Sequence, residues 1–118
     1  MPKQLAELDS VFHALGDHTR RTVIERLVAG PASTSELAVP FSMALPSFTQ
    51  HLGVLEKAAL VISTKQGRVR TYELSPRALQ LADGWLADQR RSWEQRLDQF
   101  DTFVTALHHT EQRHRNLR

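Results

Sequence analysis

Cysteine is missing from this 118-residue chain. Its absence excludes disulfides, thiolate metal sites, cysteine nucleophiles and thiol redox sensing in one stroke. Long apolar runs are missing too. The N-terminal stretch MPKQLAELDSVF has no signal-peptide core and no segment approaches a membrane span, so a cytoplasmic protein without membrane partners is expected. An excess of one charge sign is also lacking: 15 Lys and Arg stand against 13 Asp and Glu, a net charge of +2. So small an excess does not argue for nucleic acid, and the placement of the cations has to decide. There is no Gly-rich phosphate loop, nucleophile elbow or clustered acid pair, which argues against an enzyme. No internal repeat or low-complexity segment occurs. The length suits one domain with a modest core.

What is present is helical periodicity interrupted by clear stops. Leu5, Leu8, Phe12 and Leu15 recur at three- and four-residue steps and predict an amphipathic helix ending at Gly16. Asp17 is a good N-cap for a second helix with Val23, Ile24, Leu27 and Val28 on its core side, closed by Gly30-Pro31. Ser33 and Glu36 have capping-box spacing and start a short third helix that Pro40 stops. Pro46 suits the first turn of a fourth helix. That helix shows Phe48, Leu52, Leu55 and Ala59 on one side and Pro46, Gln50, Gly53 and Lys57 on the other. Two segments rich in β-branched residues, 60–65 and 69–74, flank Gln66-Gly67 and predict a hairpin. A long helical pattern then runs from Ser75-Pro76 to about His109, with Gly84 as a candidate kink or break.

The fourth helix and the hairpin carry the chemistry. Ser47, Thr49 and Gln50 lie in the first turns of that helix, where short polar side chains suit base edges and phosphates in a major groove. Gln pairs with adenine in bidentate fashion, and Ser and Thr bond either a base or a phosphate. Gly53 lets a backbone come close, and Lys57 reaches a phosphate farther along. Alone, this face reads first as solvated surface carrying ordinary polar residues. The segment Thr64–Arg70 (TKQGRVR) holds Lys65, Arg68 and Arg70 with no acid, at a hairpin tip of the kind that lies along a DNA backbone or enters a minor groove. A charged tip is also a common protection for a sheet edge. Helix-turn-helix followed at once by a basic hairpin is a winged arrangement, and the two features together favour double-stranded DNA as partner.

The stretches FHALGDHTRRTVIERL, ELAVPFSMALPSFTQHLGVLEKAALV and QGRVRTYEL, in this order, closely resemble the ArsR family of bacterial winged-helix transcription regulators. The resemblance spans roughly Leu8 to Leu74. It implies a mainly α fold with a small β-hairpin, dimerising through its first and last helices. It also implies a homodimer that binds a two-fold operator and represses transcription. On the family pattern Ser47, Thr49, Gln50 and His51 fall in the recognition helix and Gly67, Arg68 and Arg70 in the wing. Residues 1–75 are then the DNA-binding domain, 76–110 the dimerisation helix of the same compact domain, and 111–118 a basic, frayed tail. Two departures stand out: His18 occupies a position where relatives often carry Pro, and Ala59 one where many carry Gly. If the fourth helix ends at Ala59 in a left-handed conformation, Ala costs about 1 kcal/mol relative to Gly.

Dimerisation has support apart from the resemblance. Trp93, Leu97, Phe100, Val104 and Leu107 alternate four- and three-residue steps, a coiled-coil-like seam. Both terminal stripes either pack on their own domain or pair across a two-fold axis, and the length of the last one favours pairing. Many relatives sense metal through two cysteines in a motif ELCVC. Here the run is ELAVP, with Ala38 and Pro40 at the ligand positions, so no metal or other cofactor is expected. His108, His109 and His114 do not reproduce the family's second, His/Asp pattern, and a helix C-terminus explains them as well. Alternatives are a His-based metal-sensing repressor and a winged-helix module that binds protein. A small-molecule effector is left unidentified, with the aromatic residues Trp85, Trp93, Phe100 and Phe103 as one candidate lining.

Overall fold

A computed structural model describes residues 3–116. Its elements are α1 (Lys3–Leu15), α2 (His18–Val28), β1 (Ala32–Ser33), α3 (Thr34–Ala38), α4 (Leu45–Lys57), β2 (Val61–Gln66), β3 (Val69–Leu74) and α5 (Pro76–Asn116). The mainly helical fold with a small antiparallel sheet is the winged helix-turn-helix expected from the sequence. The chain forms two compact units, one up to Asp83 and one from Gly84 onward.

Local chemistry sets the helix ends of the first unit. The Asp17 carboxylate accepts from the Arg20 N–H at 3.1 Å and caps α2. Ser33 and Glu36 form a complete capping box, with Glu36 N–H donating to Ser33 Oγ (3.2 Å) and Ser33 N–H to Glu36 Oε1 (3.1 Å). Pro46 sits in the first turn of α4, where its missing N–H leaves no bond unmade. At the other end of α4 the Leu60 N–H reaches back to Leu55 O and the Ala59 N–H to Glu56 O, both at 3.0 Å. These are the two bonds of a Schellman motif, and Ala59 holds its left-handed position at φ 60°. Ala59 is therefore exposed beyond the helix rather than on its core side; the buried residue is Ala58.

The core gathers one stripe from each helix and the inner face of the sheet. Phe48, Leu37, Leu52, Leu55, Leu60, Val11, Val23 and Val61 are its largest fully buried side chains. Phe41, from the turn between α3 and α4, stacks at a tilt on Phe48 with ring centroids 5.3 Å apart. Ala78 and Ala82 in the first turns of α5 are buried in the same cluster. No buried polar side chain lacks a hydrogen-bond partner among the described residues.

The sheet differs in detail from the sequence reading. It has three strands in the order β1-β3-β2, all antiparallel, because the two-residue β1 pairs Ala32 with Tyr72 and Ser33 with Thr71. In the hairpin Gln66 pairs with Val69, so the turn is Gly67-Arg68 rather than Gln66-Gly67. Gly67, at φ 62°, supplies the positive φ that a two-residue hairpin requires. Leu60 precedes β2 and is fully buried.

Helix α5 continues through Gly84. A glycine inside a helix costs about 1 kcal/mol relative to Ala, too little to break one of this length. The helix also runs through residues 111–116, so this part of the expected frayed tail is helical; residues 117 and 118 lie outside the described residues. In the second unit Trp93, Leu97, Phe100, Val104 and Leu107 are all exposed, at 60, 45, 63, 45 and 51%. No helix among the described residues is long and apolar enough to cross a membrane.

Candidate nucleic-acid interface

Helix α4 is amphipathic, and its burial pattern decides which side chains are available. Phe48, Leu52 and Leu55 turn inward, leaving Ser47, Thr49, Gln50, Gly53, Glu56 and Lys57 exposed. Ser47, Gln50 and Gly53 follow one another at three-residue steps, and Lys57 continues their side one turn on. The Thr49 hydroxyl donates back to the carbonyls of Leu45 (3.1 Å) and Pro46 (3.0 Å), so its proton is engaged and its oxygen is left to accept. A Cβ built on Gly53 would meet nothing within 4 Å. Packing inside the chain therefore gives no reason for a glycine there.

His51 differs from its neighbours on the helix. Its ring is half-buried, and its Nδ1 lies 3.0 Å from Arg20 Nη1 and 3.7 Å from Asp17 Oδ2. A guanidinium can only donate, so Nδ1 accepts and the ring proton sits on Nε2. Arg20 also donates from Nε to Ala14 O (2.7 Å) and from Nη2 to His13 O (3.1 Å). One guanidinium thus satisfies carbonyls at the end of α1 and grips a side chain of α4. Arg21 adds a bond to Leu15 O at 2.8 Å. The Asp17 carboxyl is held below its ordinary value, chiefly by the Arg20 backbone N–H with the Arg20 charge adding to it, against an opposing effect of burial. Nothing in the sequence pattern singled out Arg20; the nearest signal is its position three residues after the Asp17 cap.

The wing carries Lys65, Arg68 and Arg70, all exposed. Lys65 and Arg70 are directly opposite in the β2–β3 register. Like charges facing each other across strands are destabilising, and an anion laid beside them relieves the repulsion. Arg70 Nη1 donates to Ser63 Oγ (2.8 Å), and that hydroxyl donates to Glu56 Oε1 (2.7 Å) on α4. The chain Arg70–Ser63–Glu56 ties the wing to the exposed helix. Sequence reading missed this link, because it depends on the strand register. Of the residues named from sequence, Ser47, Gln50 and Lys57 share the open side of α4, Lys65, Arg68 and Arg70 share the wing, and His51 turns toward the α1–α2 corner.

A 42% identical relative over 71 residues is the HTH-type transcriptional regulator Rv2034 of Mycobacterium tuberculosis, the match covering 60% of this chain and 66% of that protein. A crystal structure of an ArsR family transcriptional regulator, RHA00566, superposes with a TM-score of 0.75 at 46% identity, covering 80% of this chain and 97% of the other. The chain belongs to the ArsR family. It is a DNA-binding transcriptional regulator. The transcriptional repressor SdpR of Bacillus subtilis is 29% identical over 79 residues, covering 67% of this chain and 88% of SdpR. No family model matches the chain. This ArsR-family chain has no cysteine, hence no cysteine metal site. Among its described residues no three His, Asp or Glu side chains gather as metal ligands. The His114 side chain lies outside the described residues.

Proposed function

We propose that this ArsR-family regulator is a homodimeric repressor that places α4 in the major groove and the β2–β3 wing beside it. The observation that carries the reading is the Arg70–Ser63–Glu56 chain, which holds the cationic wing and the polar side of α4 as one surface. Gln50 reads a base edge, Ser47 and Thr49 bond a base or a phosphate, and Lys57, Lys65, Arg68 and Arg70 neutralise phosphates. His51 serves from behind, by fixing α4 on Arg20. Repression needs only that the bound dimer block the promoter, and the similarity to SdpR agrees with it.

The exposed seam Trp93–Leu107 supports the dimer. Five large apolar side chains at heptad spacing, each at least 45% exposed, form a stripe that a second copy covers by the same spacing. Sedimentation equilibrium tests this half: wild type is expected to be a dimer, and Leu97→Glu with Phe100→Glu a monomer with weakened DNA binding. A wild-type monomer at micromolar concentration would refute it. The DNA half is tested with Gln50→Ala and Arg68→Ala on an operator and on random duplex. Gln50→Ala is expected to lose about 1–3 kcal/mol on the operator and little on random DNA, and Arg68→Ala to weaken both and lower the salt slope. Equal losses for Gln50→Ala on both duplexes would remove its base-reading role.

A further inference from the structure

Beyond the DNA face, the first unit holds a cleft of about 640 Å³ bounded by α1, the last turn of α4 and the first turns of α5. That volume lies within the range of small-molecule sites. Its walls combine two kinds of chemistry. Ala6, Ala59 and Leu81 offer apolar surface over the buried Val11, Ala58 and Ala78, while Lys3, Lys57 and Arg77 bring three cations against the single acid Glu7. Glu7 Oε2 stands 4.0 Å from Arg77 Nη2, and the Arg77 side chain is 84% exposed, so the guanidinium keeps donors for a further acceptor. Lys3 and Glu7 lie on one edge of α1 at i and i+4. Leu5 and Phe12, the exposed apolar pair of α1, lie at i and i+7 on the opposite edge. A dimer contact made through Leu5 and Phe12 leaves the cleft open.

We propose that this cleft is an effector site for a small amphipathic carboxylate. The carboxylate sits between Lys57 and Arg77, and the apolar body lies over Ala6, Ala59 and Leu81. Arg matches the two carboxylate oxygens with two parallel donors. The regulatory consequence rests on the DNA-binding role proposed for α4. Lys57 closes both the cleft and the exposed side of α4, so its ammonium serves a ligand carboxylate or a DNA phosphate, not both. Ligand binding therefore lowers affinity for DNA, and DNA lowers affinity for ligand by the same factor.

The test uses the full chain and four probes: benzoate and octanoate, with benzamide and octanol as neutral counterparts. Backbone amide NMR titration reads binding without DNA, and fluorescence anisotropy of a labelled operator reads the coupling. The carboxylates are expected to shift the amides of Ser10, Ala58 and Ala78, to bind at least about tenfold tighter than the neutral probes, and to weaken operator binding. Arg77→Gln is expected to lose the carboxylate preference while unliganded operator affinity stays unchanged. No binding in the cleft, or equal binding of acid and neutral probe, overturns the site. Cleft binding with operator affinity unmoved overturns the coupling. Should the chain bind no DNA at all, the titration still reads the site, so the two failures are distinguishable.

Discussion

Replacing Ala59 by glycine should stabilise the protein. Ala59 occupies the left-handed position that ends α4, at φ 60°. An L-residue with a Cβ costs roughly 1–2 kcal/mol in that region, from the approach of Cβ to the following carbonyl. Glycine removes this strain but adds conformational freedom to the unfolded chain, which returns about 0.4–1 kcal/mol. Ala59 is exposed, so no core contact is lost with its methyl group. The two Schellman hydrogen bonds, Leu60 N–H to Leu55 O and Ala59 N–H to Glu56 O, use only backbone and survive the change. The net gain is about 0.5–1 kcal/mol, or a few degrees in Tm. The assay is urea denaturation at a fixed protein concentration, because the stability of a dimer depends on concentration. The midpoint should rise with an unchanged m-value. Ala59→Val, which adds a β-branch at the same φ, should lower the midpoint. A destabilised Ala59→Gly protein would refute the strain argument.

Further expectations follow from other positions. Gly53→Ala should stabilise the fold by about 1 kcal/mol through helix propensity, because a Cβ there meets nothing, yet weaken operator binding where DNA closes on α4; denaturation and anisotropy on one preparation check both signs. Ser33→Ala removes the reciprocal cap of α3 and should cost about 1 kcal/mol, read by denaturation midpoint. The carboxyls of Asp17 and Glu36 are both held below their ordinary values of 3.8 and 4.5, mainly by backbone N–H donors. Their stabilisation is therefore complete above the unfolded values and lost as pH falls through the lower folded ones. Asp17→Asn keeps a capping side chain but does not titrate, so its denaturation midpoint should fall less steeply with acid than the wild-type midpoint.

The elements that local chemistry specifies were legible in the sequence. Asp17, the Ser33/Glu36 box, Pro46 and the glycine-bearing hairpin mark their boundaries through bonds made within a few residues. The left-handed position of Ala59 was legible only through the family resemblance, and Ala59 itself read as a core position on helical spacing alone. Strand β1 escaped because two residues carry no period, and its pairing with Tyr72 and Thr71 is a contact distant in sequence. Arg20 escaped for the same reason, since its role lies in bonds to Ala14, His13 and His51 rather than in any spacing. Gly84 read as a possible break because propensity weighs one residue, whereas the helix around it holds 41. The polar side of α4 and the cations of the wing were visible as residue types. Their joining through Glu56, Ser63 and Arg70 was not.

The central claim is that a dimer of this chain reads a two-fold DNA site with α4 and the wing. The most direct measurement is selection of duplexes from a randomised pool by the full chain, followed by affinity for the enriched sequence across a salt series. The account predicts an imperfect palindrome with half-sites about one helical turn apart, roughly 10 base pairs, and affinity that falls linearly with salt on logarithmic axes. No enriched sequence, together with binding that salt does not weaken, would contradict it.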